Sequence, residues 1–181
     1  HADRPVPLHF AWAMTPIHET IEDLLRERQA PIYVVHFTQQ AAVERALALM
    51  SVNVSSSADK DAIKALVGGF RFGKGFGQTL KRLVLHGIGI HHAGMLPKYR
   101  RLVEMLAQAG LLKVVCGTET LGVGINVPIR TVLITSLTKY DGRRQRVLRA
   151  REYHQIAGRA GRAGYDVEGF VVVQAPEHVI E

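Results

Sequence analysis

The residues best suited to chemistry lie in one run, Gln-Ile-Ala-Gly-Arg-Ala-Gly-Arg, near the carboxyl-terminal end of the chain. Four of them follow the helical spacing i, i+3, i+4, i+7 and would share one helix face: Gln155, Gly158, Arg159 and Arg162. Paired guanidinium groups bind phosphate oxygens. Each interior glycine costs a helix about 1 kcal/mol relative to alanine, and a segment that breaks such a rule often serves a function. The run therefore predicts phosphate chemistry, the alternative being a small-residue helix with a solvated basic face.

A second candidate segment, residues 117–128, reads Gly-Thr-Glu-Thr-Leu-Gly-Val-Gly-Ile-Asn-Val-Pro and directly follows a predicted strand. The hydroxyl groups of Thr118 and Thr120 can donate to phosphate oxygens, and the glycines at 122 and 124 let a backbone approach a ligand closely. The segment is expected at the carboxyl end of its strand, where parallel sheets bind ligands.

A third segment, His-His-Ala-Gly-Met-Leu-Pro at residues 91–97, places two histidines and a glycine just before a predicted helix. A helix N-terminus attracts anions because its backbone N–H groups point outward. His92 and Gly94 are therefore candidates for contacts to phosphate.

Apolar runs that alternate with amphipathic segments must position these three motifs. This alternation predicts an α/β fold with a mostly parallel sheet and helices on both faces. The predicted strands are 8–14, 32–37, 89–92, 113–116, 131–137 and 169–175, and the predicted helices are 15–29, 38–50, 61–67, 78–85, 97–108 and 152–163. Thr15 is the expected N-cap of the first helix, and residues 51–60 are expected to form a loop.

Composition favours a globular domain with a polyanionic partner. The 181 residues are 47 % hydrophobic and carry a net charge of +7, which favours nucleic acid as the partner. No apolar run approaches the roughly 20 residues of a membrane span, so no membrane partner is expected. The single cysteine, Cys116, excludes an internal disulfide and suits a reducing cytoplasm. Because the chain does not begin with Met, we expect it to be part of a longer polypeptide.

Taken together and in order, the segments resemble the motifs of superfamily-two helicases. Residues 155–162 resemble motif VI, residues 118–128 motif V, residues 91–97 motif IVa, and residues 34–38 motif IV. The Ski-like branch of DExH-type RNA helicases is the most similar, because a Lys-Tyr-Asp-Gly segment at 139–142 accompanies the Thr-Glu-Thr start of motif V.

The resemblance implies a RecA-like (P-loop NTPase-type) three-layer fold and a role for each matching residue. Arg159 and Arg162 would be catalytic arginine fingers towards the γ-phosphate of ATP bound with Mg²⁺, and Gln155 would orient the attacking water. The implied nucleotide contacts are Gly124, Asn126 and Gly158, and the implied contacts to single-stranded nucleic acid are Thr38, His92, Gly94, Thr118 and Thr120. RNA is expected as the partner rather than DNA, and a DNA-repair helicase of the same superfamily is the alternative.

Two elements of a complete helicase are missing from the sequence, the Walker A loop and the Asp-Glu box. Residues 68–75 come close to a Walker A loop but end in Gly75 instead of Ser or Thr, and we interpret them as a flexible, basic loop. The chain is therefore expected to be a second, carboxyl-terminal RecA-like domain at 8–181, preceded by a linker at 1–7. Its partner would be the first RecA-like domain of the same polypeptide, and the fragment alone would be an inactive binding module for single strands.

Two departures from the family pattern bear on these roles. Residues 39 and 40 are glutamines where relatives often have a basic residue, and Gly122 stands where many relatives have Ala or Ser. Residues 139–151 hold six basic residues and one acid, which fits either a solvated loop or an added phosphate or docking contact. The histidines match no zinc spacing, so no metal site is expected among them.

Overall fold

Six parallel strands form the central sheet of this computed structural model, which describes residues 6–119, 127–136, 138–140, 145–147, 150–162, 166 and 169–176. The strand order is β1-β8-β5-β2-β4-β3. The strands are β1 (Leu8–Ala13), β2 (Ile32–His36), β3 (Ile88–His91), β4 (Val114–Thr118), β5 (Thr131–Ile134) and β8 (Gly169–Gln174), and β6 (Thr138–Tyr140) and β7 (Gln145–Val147) form a separate antiparallel hairpin.

Four strands of the sheet are buried along their whole length because helices cover both faces. Every residue of β2, β3, β4 and β5 is buried. Continuous runs of Val and Ile are typical of parallel strands covered on both sides. The prediction of a parallel α/β sheet is confirmed, and the fold is the three-layer RecA-like arrangement.

A capping side chain or a proline marks the start of three helices. Thr38 and Ser56 accept hydrogen bonds from the backbone N–H groups of Ala41 and Asp59, and Pro97 occupies the first turn of its helix. The helices are α1 (Ile17–Arg26), α2 (Gln39–Ala48), α3 (Ser57–Val67), α4 (Phe76–Leu85), α5 (Pro97–Gln108) and α6 (Ala150–Ala157), with a 3-10 turn at Leu49–Ser51.

Helices α1 and α2 lie on one face of the sheet, and α5 and α6 on the other. Thr20 of α1 donates to Gln174. In the strand register the side chain of Gln174 lies on the same face of the sheet as the side chain of His36. Glu104 of α5 pairs with His91 on the opposite face, and Tyr153 of α6 stacks on Phe10 of β1 there. This division is the one that right-handed crossovers produce.

Three differences from the sequence-based prediction have local reasons. Pro16, and not Thr15, is the N-cap residue of α1, which has no side-chain capping bond; the Thr15 hydroxyl group instead hydrogen bonds to that of Thr20 at 2.9 Å. Helix α3 starts inside the predicted loop 51–60, because Ser56 caps it. The β6–β7 hairpin was not predicted, since basic residues obscure the strand pattern there.

The loop at 68–75 follows helix α3 instead of a strand and is anchored by aromatic packing. The Tyr99 hydroxyl group accepts a hydrogen bond from Gly73 N at 2.8 Å, and the ring of Phe72 stacks on Tyr99 at 6.3 Å between centroids. Lys98 lies 5.1 Å from the centroid of the Tyr99 ring. The segment is a loop, as predicted, and these contacts attach it to helix α5. No helix in the described part of the chain is both long and apolar enough to cross a bilayer.

Candidate functional site

Three neighbouring strands end side by side at the carboxyl edge of the sheet. Thr38 follows β2, Thr118 is the last residue of β4, and His92 follows β3, with Gly94 two residues further on. Because β2, β4 and β3 are adjacent and parallel, their carboxyl ends lie in one row. The structure therefore brings together four of the residues that the sequence predicted for nucleic-acid contact.

Local hydrogen bonds give two of these residues a structural task as well. The exposed Thr38 hydroxyl group accepts a hydrogen bond from Ala41 N at 3.0 Å and so caps α2. The His92 ring is nearly buried, and its Nδ1 accepts a hydrogen bond from Gly94 N at 3.1 Å. Burial lowers the pKa of His92, and the nearby His91 lowers it further, so His92 is a neutral acceptor at neutral pH.

Gly94 lies directly against the side-chain amide of Gln39. A Cβ atom at position 94 would lie 2.5 Å from Gln39 Oε1 and 3.1 Å from Gln39 Nε2. The absence of a side chain at Gly94 therefore lets the start of α2 approach the loop after β3. Gln39, which stands where relatives often have a basic residue, thus joins two of the candidate motifs.

Tyr33 supports the end of β4 from inside the sheet. Its hydroxyl group donates to the carbonyl oxygen of Thr118 at 3.0 Å and is fully buried. Burial raises the pKa of Tyr33, the nearby Cys116 and Glu119 raise it further, and the positive charge of Arg159 acts in the opposite direction. Tyr33 therefore remains a neutral donor that fixes the backbone of Thr118.

His36 is a second buried polar group at this edge. Its Nδ1 lies 3.2 Å from the carbonyl oxygen of Val34, and its Nε2 is buried without a hydrogen-bond partner among the described residues. Burial, followed by the charge of Arg45, lowers the pKa of His36 to about 4. The ring is therefore neutral at pH 7, and it lies on the face of the sheet that α2 covers.

The residues of the Gly-Arg run leave the helix earlier than predicted. Helix α6 ends at Ala157, and the hydrogen bond from Gly158 N to His154 O at 2.9 Å closes its last turn. The side chains of Gln155 and Arg159 are exposed there. The predicted helix over 152–163 is wrong at its carboxyl-terminal end, because the chain turns away at this point.

Gly161 makes that turn possible. Its φ of +87° lies in the left-handed region, and a Cβ atom there would lie 3.0 Å from Val6 and 3.1 Å from the Cα atom of Gly169. Gly161 N donates to the carbonyl oxygen of Arg130 at 3.2 Å. The glycine thus has a structural reason, the close approach to β8, and Arg162 does not share a helix face with Gln155.

Arg162 is held by a carboxylate that the sequence analysis did not single out. Asp166 accepts hydrogen bonds from Arg162 Nε at 2.9 Å, from Arg162 Nη2 at 2.9 Å and from Arg162 N at 2.7 Å. Arg130 Nη1 donates to the same carboxylate at 2.8 Å. The carboxylate has no exposed surface, whereas the Arg162 side chain is 30 % exposed.

Electrostatics keep this carboxylate ionised. Burial alone raises the pKa of Asp166, but hydrogen bonds from the Arg162 side chain and backbone, together with the charges of Arg162 and Arg130, outweigh burial. The net effect holds the pKa of Asp166 below its usual range. The cluster is therefore a buried anion between two cations at neutral pH.

Arg162 and Thr118 lie at opposite edges of the sheet, whereas the charge of Arg159 acts on the Tyr33 hydroxyl group that binds Thr118 O. Arg130 precedes the first residue of β5, so the Arg162 backbone lies at the amino edge, while Thr118 lies at the carboxyl edge. In the register of β2, the two levels are separated by five residues, a rise of about 16 Å at the usual 3.3 Å per residue. Thr118 and the Arg162 backbone are therefore too far apart to contact the same phosphate group.

Three predicted site residues, Thr120, Gly124 and Asn126, lie outside the described residues. The same holds for residues 141 and 142 of the Lys-Tyr-Asp-Gly segment. Their roles stay predictions.

The described part of the Gly-Arg run carries exposed hydrogen-bond donors. The exposed Gln155 amide and Arg159 guanidinium, with the partly exposed Arg162, are donors of the kind that bind phosphate oxygens. In the described part of the chain no three His, Cys, Asp or Glu side chains come together as a group that could hold a metal ion. His86 and His91 instead have protein partners, Val52 O and Glu104.

Sequence reasoning missed Asp166, Tyr33 and the contact of Gln39 with Gly94. Asp166 lies four residues after Arg162, a spacing that on a helix indicates an ordinary surface pair. Tyr33 reads as one more apolar residue of a buried strand. Only the folded arrangement shows that these side chains fix the candidate site residues.

Comparisons with known proteins identify the family. Residues 70–164 match the model of the helicase conserved C-terminal domain. The chain is 39 % identical over 166 residues to the DExH-box ATP-dependent RNA helicase DExH11 of Arabidopsis thaliana, covering 88 % of this chain and 12 % of that protein. It is 31 % identical over 173 residues to the ATP-dependent RNA helicase mtr4 of Schizosaccharomyces pombe, covering 89 % and 15 %.

A human relative, Superkiller complex protein 2, is 38 % identical over 165 residues, which covers 87 % of this chain and 13 % of that protein. The chain thus spans about an eighth to a seventh of the length of the curated relatives that it matches. These matches and the six-stranded parallel sheet agree with the family resemblance of the motifs. The chain belongs to the helicase conserved C-terminal domain family, with the sequence features of a Ski-like second RecA-like domain.

Proposed function

We propose that this chain is the second RecA-like domain of an ATP-dependent helicase that moves along single-stranded RNA. The observation that carries the proposal is the separation of Thr118 and Arg162 to opposite edges of one sheet. A translocating motor must hold a strand and a nucleotide at the same time, and two separate edges allow this. The relatives named above as ATP-dependent RNA helicases support both ligands.

The amino edge and helix α6 supply one half of the ATPase site. Arg159 and Arg162 act as arginine fingers, whose guanidinium groups stabilise the charge that develops during phosphoryl transfer. In related chemistry this contribution is on the order of 10³–10⁵ in rate. Gln155 orients the attacking water, and Gly158 allows close approach at the end of α6, with Gly124 and Asn126 nearby.

The other half of that site, including the residues that hold Mg²⁺, belongs to the first RecA-like domain. ATP bound between the two domains supplies the phosphoanhydride bond. The residues of this chain orient water and stabilise charge there, and they do so only when the two domains close. The chain alone is therefore expected to bind nucleic acid without hydrolysing ATP.

The carboxyl edge supplies contacts to the sugar–phosphate backbone. The hydroxyl groups of Thr38, Thr118 and Thr120 and the backbone of Gly94 donate to phosphate oxygens, and His92 keeps the loop of Gly94 in place. The net charge of +7 adds a long-range attraction. The single buried cysteine is compatible with a reducing compartment, which we propose is the cytoplasm.

Crossed variants of the full-length protein that contains this chain test the proposal. Thr118→Val is isosteric and removes one hydroxyl donor, so it should raise the Kd for a single-stranded RNA oligonucleotide by roughly 5-fold. Thr118→Ser is its matched control and should bind normally. ATP hydrolysis without RNA should be unchanged in both variants.

Arg159→Ala should give the converse result. We expect a large loss of kcat for ATP hydrolysis and an unchanged Kd for RNA, with Arg159→Lys as the control that keeps the charge. An Arg159→Ala protein that binds RNA weakly and hydrolyses ATP normally would overturn the arginine-finger role of Arg159. The titration is repeated with DNA of the same sequence. Weaker binding of DNA would identify RNA as the substrate, because only RNA offers 2′-hydroxyl contacts.

A further inference from the structure

Asp166 forms an unusually complete set of contacts for a carboxylate that lies outside every candidate motif. It accepts three hydrogen bonds from Arg162 and one from Arg130, at 2.7–2.9 Å. Exposed ion pairs contribute little to stability, but this carboxylate has no exposed surface. Burying a charge is costly unless oppositely charged partners and hydrogen bonds compensate it. The compensation requires well-placed partners, so the cluster is expected to keep one arrangement.

The support behind Asp166 is itself anchored in the sheet. Arg130 Nε donates to Gln29 Oε1 at 3.1 Å, and the Arg130 guanidinium lies 5.5 Å from the centroid of the Phe170 ring. Arg130 directly precedes β5, and Phe170 belongs to β8. The position of Asp166 is therefore set by two central strands.

Asp166 engages one defined side of the Arg162 guanidinium. The two carboxylate oxygens bind Nε and Nη2, the two-point geometry that fixes both the position and the plane of a guanidinium group. The third bond, from Arg162 N to Asp166 Oδ2, ties the backbone to the same carboxylate. Nη1 is not among the atoms that Asp166 engages. The side chain of Arg162, with several rotatable bonds, is thus held in one conformation.

We propose that Asp166 is the positioning residue of Arg162, holding its guanidinium in the orientation that meets the γ-phosphate when the two RecA-like domains close. This inference rests on the proposed function. Asp166 itself touches no substrate. Preorganised charge is worth most when it needs no rearrangement at the moment of reaction, and a displacement of about 1 Å can cost about 100-fold in rate.

A double-mutant cycle in the full-length protein tests the proposal, with ATP hydrolysis at saturating RNA as the readout. Asp166→Asn is nearly isosteric but replaces one carboxylate oxygen with an NH₂ donor that faces the arginines. We expect kcat to fall by about 100-fold while the KM for ATP changes little. Arg162→Ala should lower kcat by about 10³-fold or more. The double variant should be no slower than Arg162→Ala, because Asp166 acts through Arg162.

Asp166→Asn leaves Arg162 and Arg130 without a neutralising charge. If that variant does not fold, Asp166→Glu replaces it in the test. It retains the negative charge and displaces the carboxylate by one methylene group, so it should fold and bind RNA normally and still lose kcat. Asp23→Asn is the control, because Asp23 also pairs with an arginine but does so on the surface. It should leave both readouts unchanged.

The outcomes separate the two claims. Normal turnover of Arg162→Ala would overturn the arginine-finger role and this inference together. Slow Arg162→Ala with normal Asp166→Asn and Asp166→Glu would overturn the inference alone. Losses that multiply in the double variant would show that Asp166 acts independently of Arg162, and they would also overturn the inference.

Discussion

The hydroxyl group of Tyr33 occupies the space in which residue 117 would carry a side chain. A Cβ atom at Gly117 would collide with that hydroxyl group and would lie 2.6 Å from the carbonyl oxygen of His91. The same hydroxyl group donates to Thr118 O at 3.0 Å. Gly117 and Tyr33 together therefore fix the end of β4, from which the second candidate motif begins.

Gly117→Ala should destabilise the domain by about 1–3 kcal/mol, because overpacking in a closed core forces shifts that a backbone carbonyl cannot make. Urea denaturation of the chain measures this loss. Gly69→Ala is the matched control, since a Cβ atom there meets nothing within 4 Å. Equal stability of the two variants would contradict the packing at the end of β4.

Much of the architecture follows from the sequence, because buried parallel strands are continuous apolar runs. The strands at 32–36, 131–134 and 169–174 all lie within their predicted ranges. Thr38, His92 and Thr118 were predicted to serve one ligand, and the adjacency of β2, β4 and β3 places them along one edge.

The end of α6 and the burial of the Arg162–Asp166 pair could not be predicted, because both depend on contacts between residues that are distant in sequence. The Gly-Arg run has perfect helical spacing, and only the approach of Gly161 to Val6 and Gly169 requires the chain to turn. Asp166 acquires its role from Arg130, which lies 36 residues away. Local patterns indicate neither the turn at Gly161 nor the contact between Arg130 and Asp166.

Gly94→Ala should separate packing from ligand contact at the carboxyl edge. The added Cβ atom would displace the end of the flexible Gln39 side chain, so the free energy of unfolding should change by less than about 1 kcal/mol. Affinity for single-stranded RNA should fall, because the displaced amide and the methyl group crowd the backbone of the loop.

Fluorescence titration and thermal melting measure the two effects of Gly94→Ala. The double variant with Gln39→Ala removes the steric conflict with the amide and should recover part of the affinity. A Gly94→Ala protein with unchanged RNA affinity at several salt concentrations would argue against contact at this loop.

His36 should make the stability of the domain depend on pH. Its pKa is about 4 in the folded state and about 6.5 when unfolded, so the unfolded chain binds more protons between these values. Stability from the neutral ring is present above pH 6.5 and is lost as the pH falls towards 4. The expected loss is about 3 kcal/mol at pH 4 relative to pH 7.

Denaturation of the chain at a series of pH values tests this expectation. His36→Phe removes the titrating group and should flatten the decline between pH 6.5 and 4, whereas His9→Phe, which alters a ring on the edge strand β1, should not. A His36→Phe protein with an unchanged slope would contradict the burial of a neutral ring next to Arg45.

Arg162 is proposed to complete an ATPase site between two RecA-like domains. The most direct measurement is the steady-state kcat for RNA-stimulated ATP hydrolysis by the full-length protein with Arg162→Ala, at saturating ATP and RNA. We predict a loss on the order of 10³-fold or more, with RNA affinity retained. Turnover within a few-fold of the unmodified protein would contradict the account.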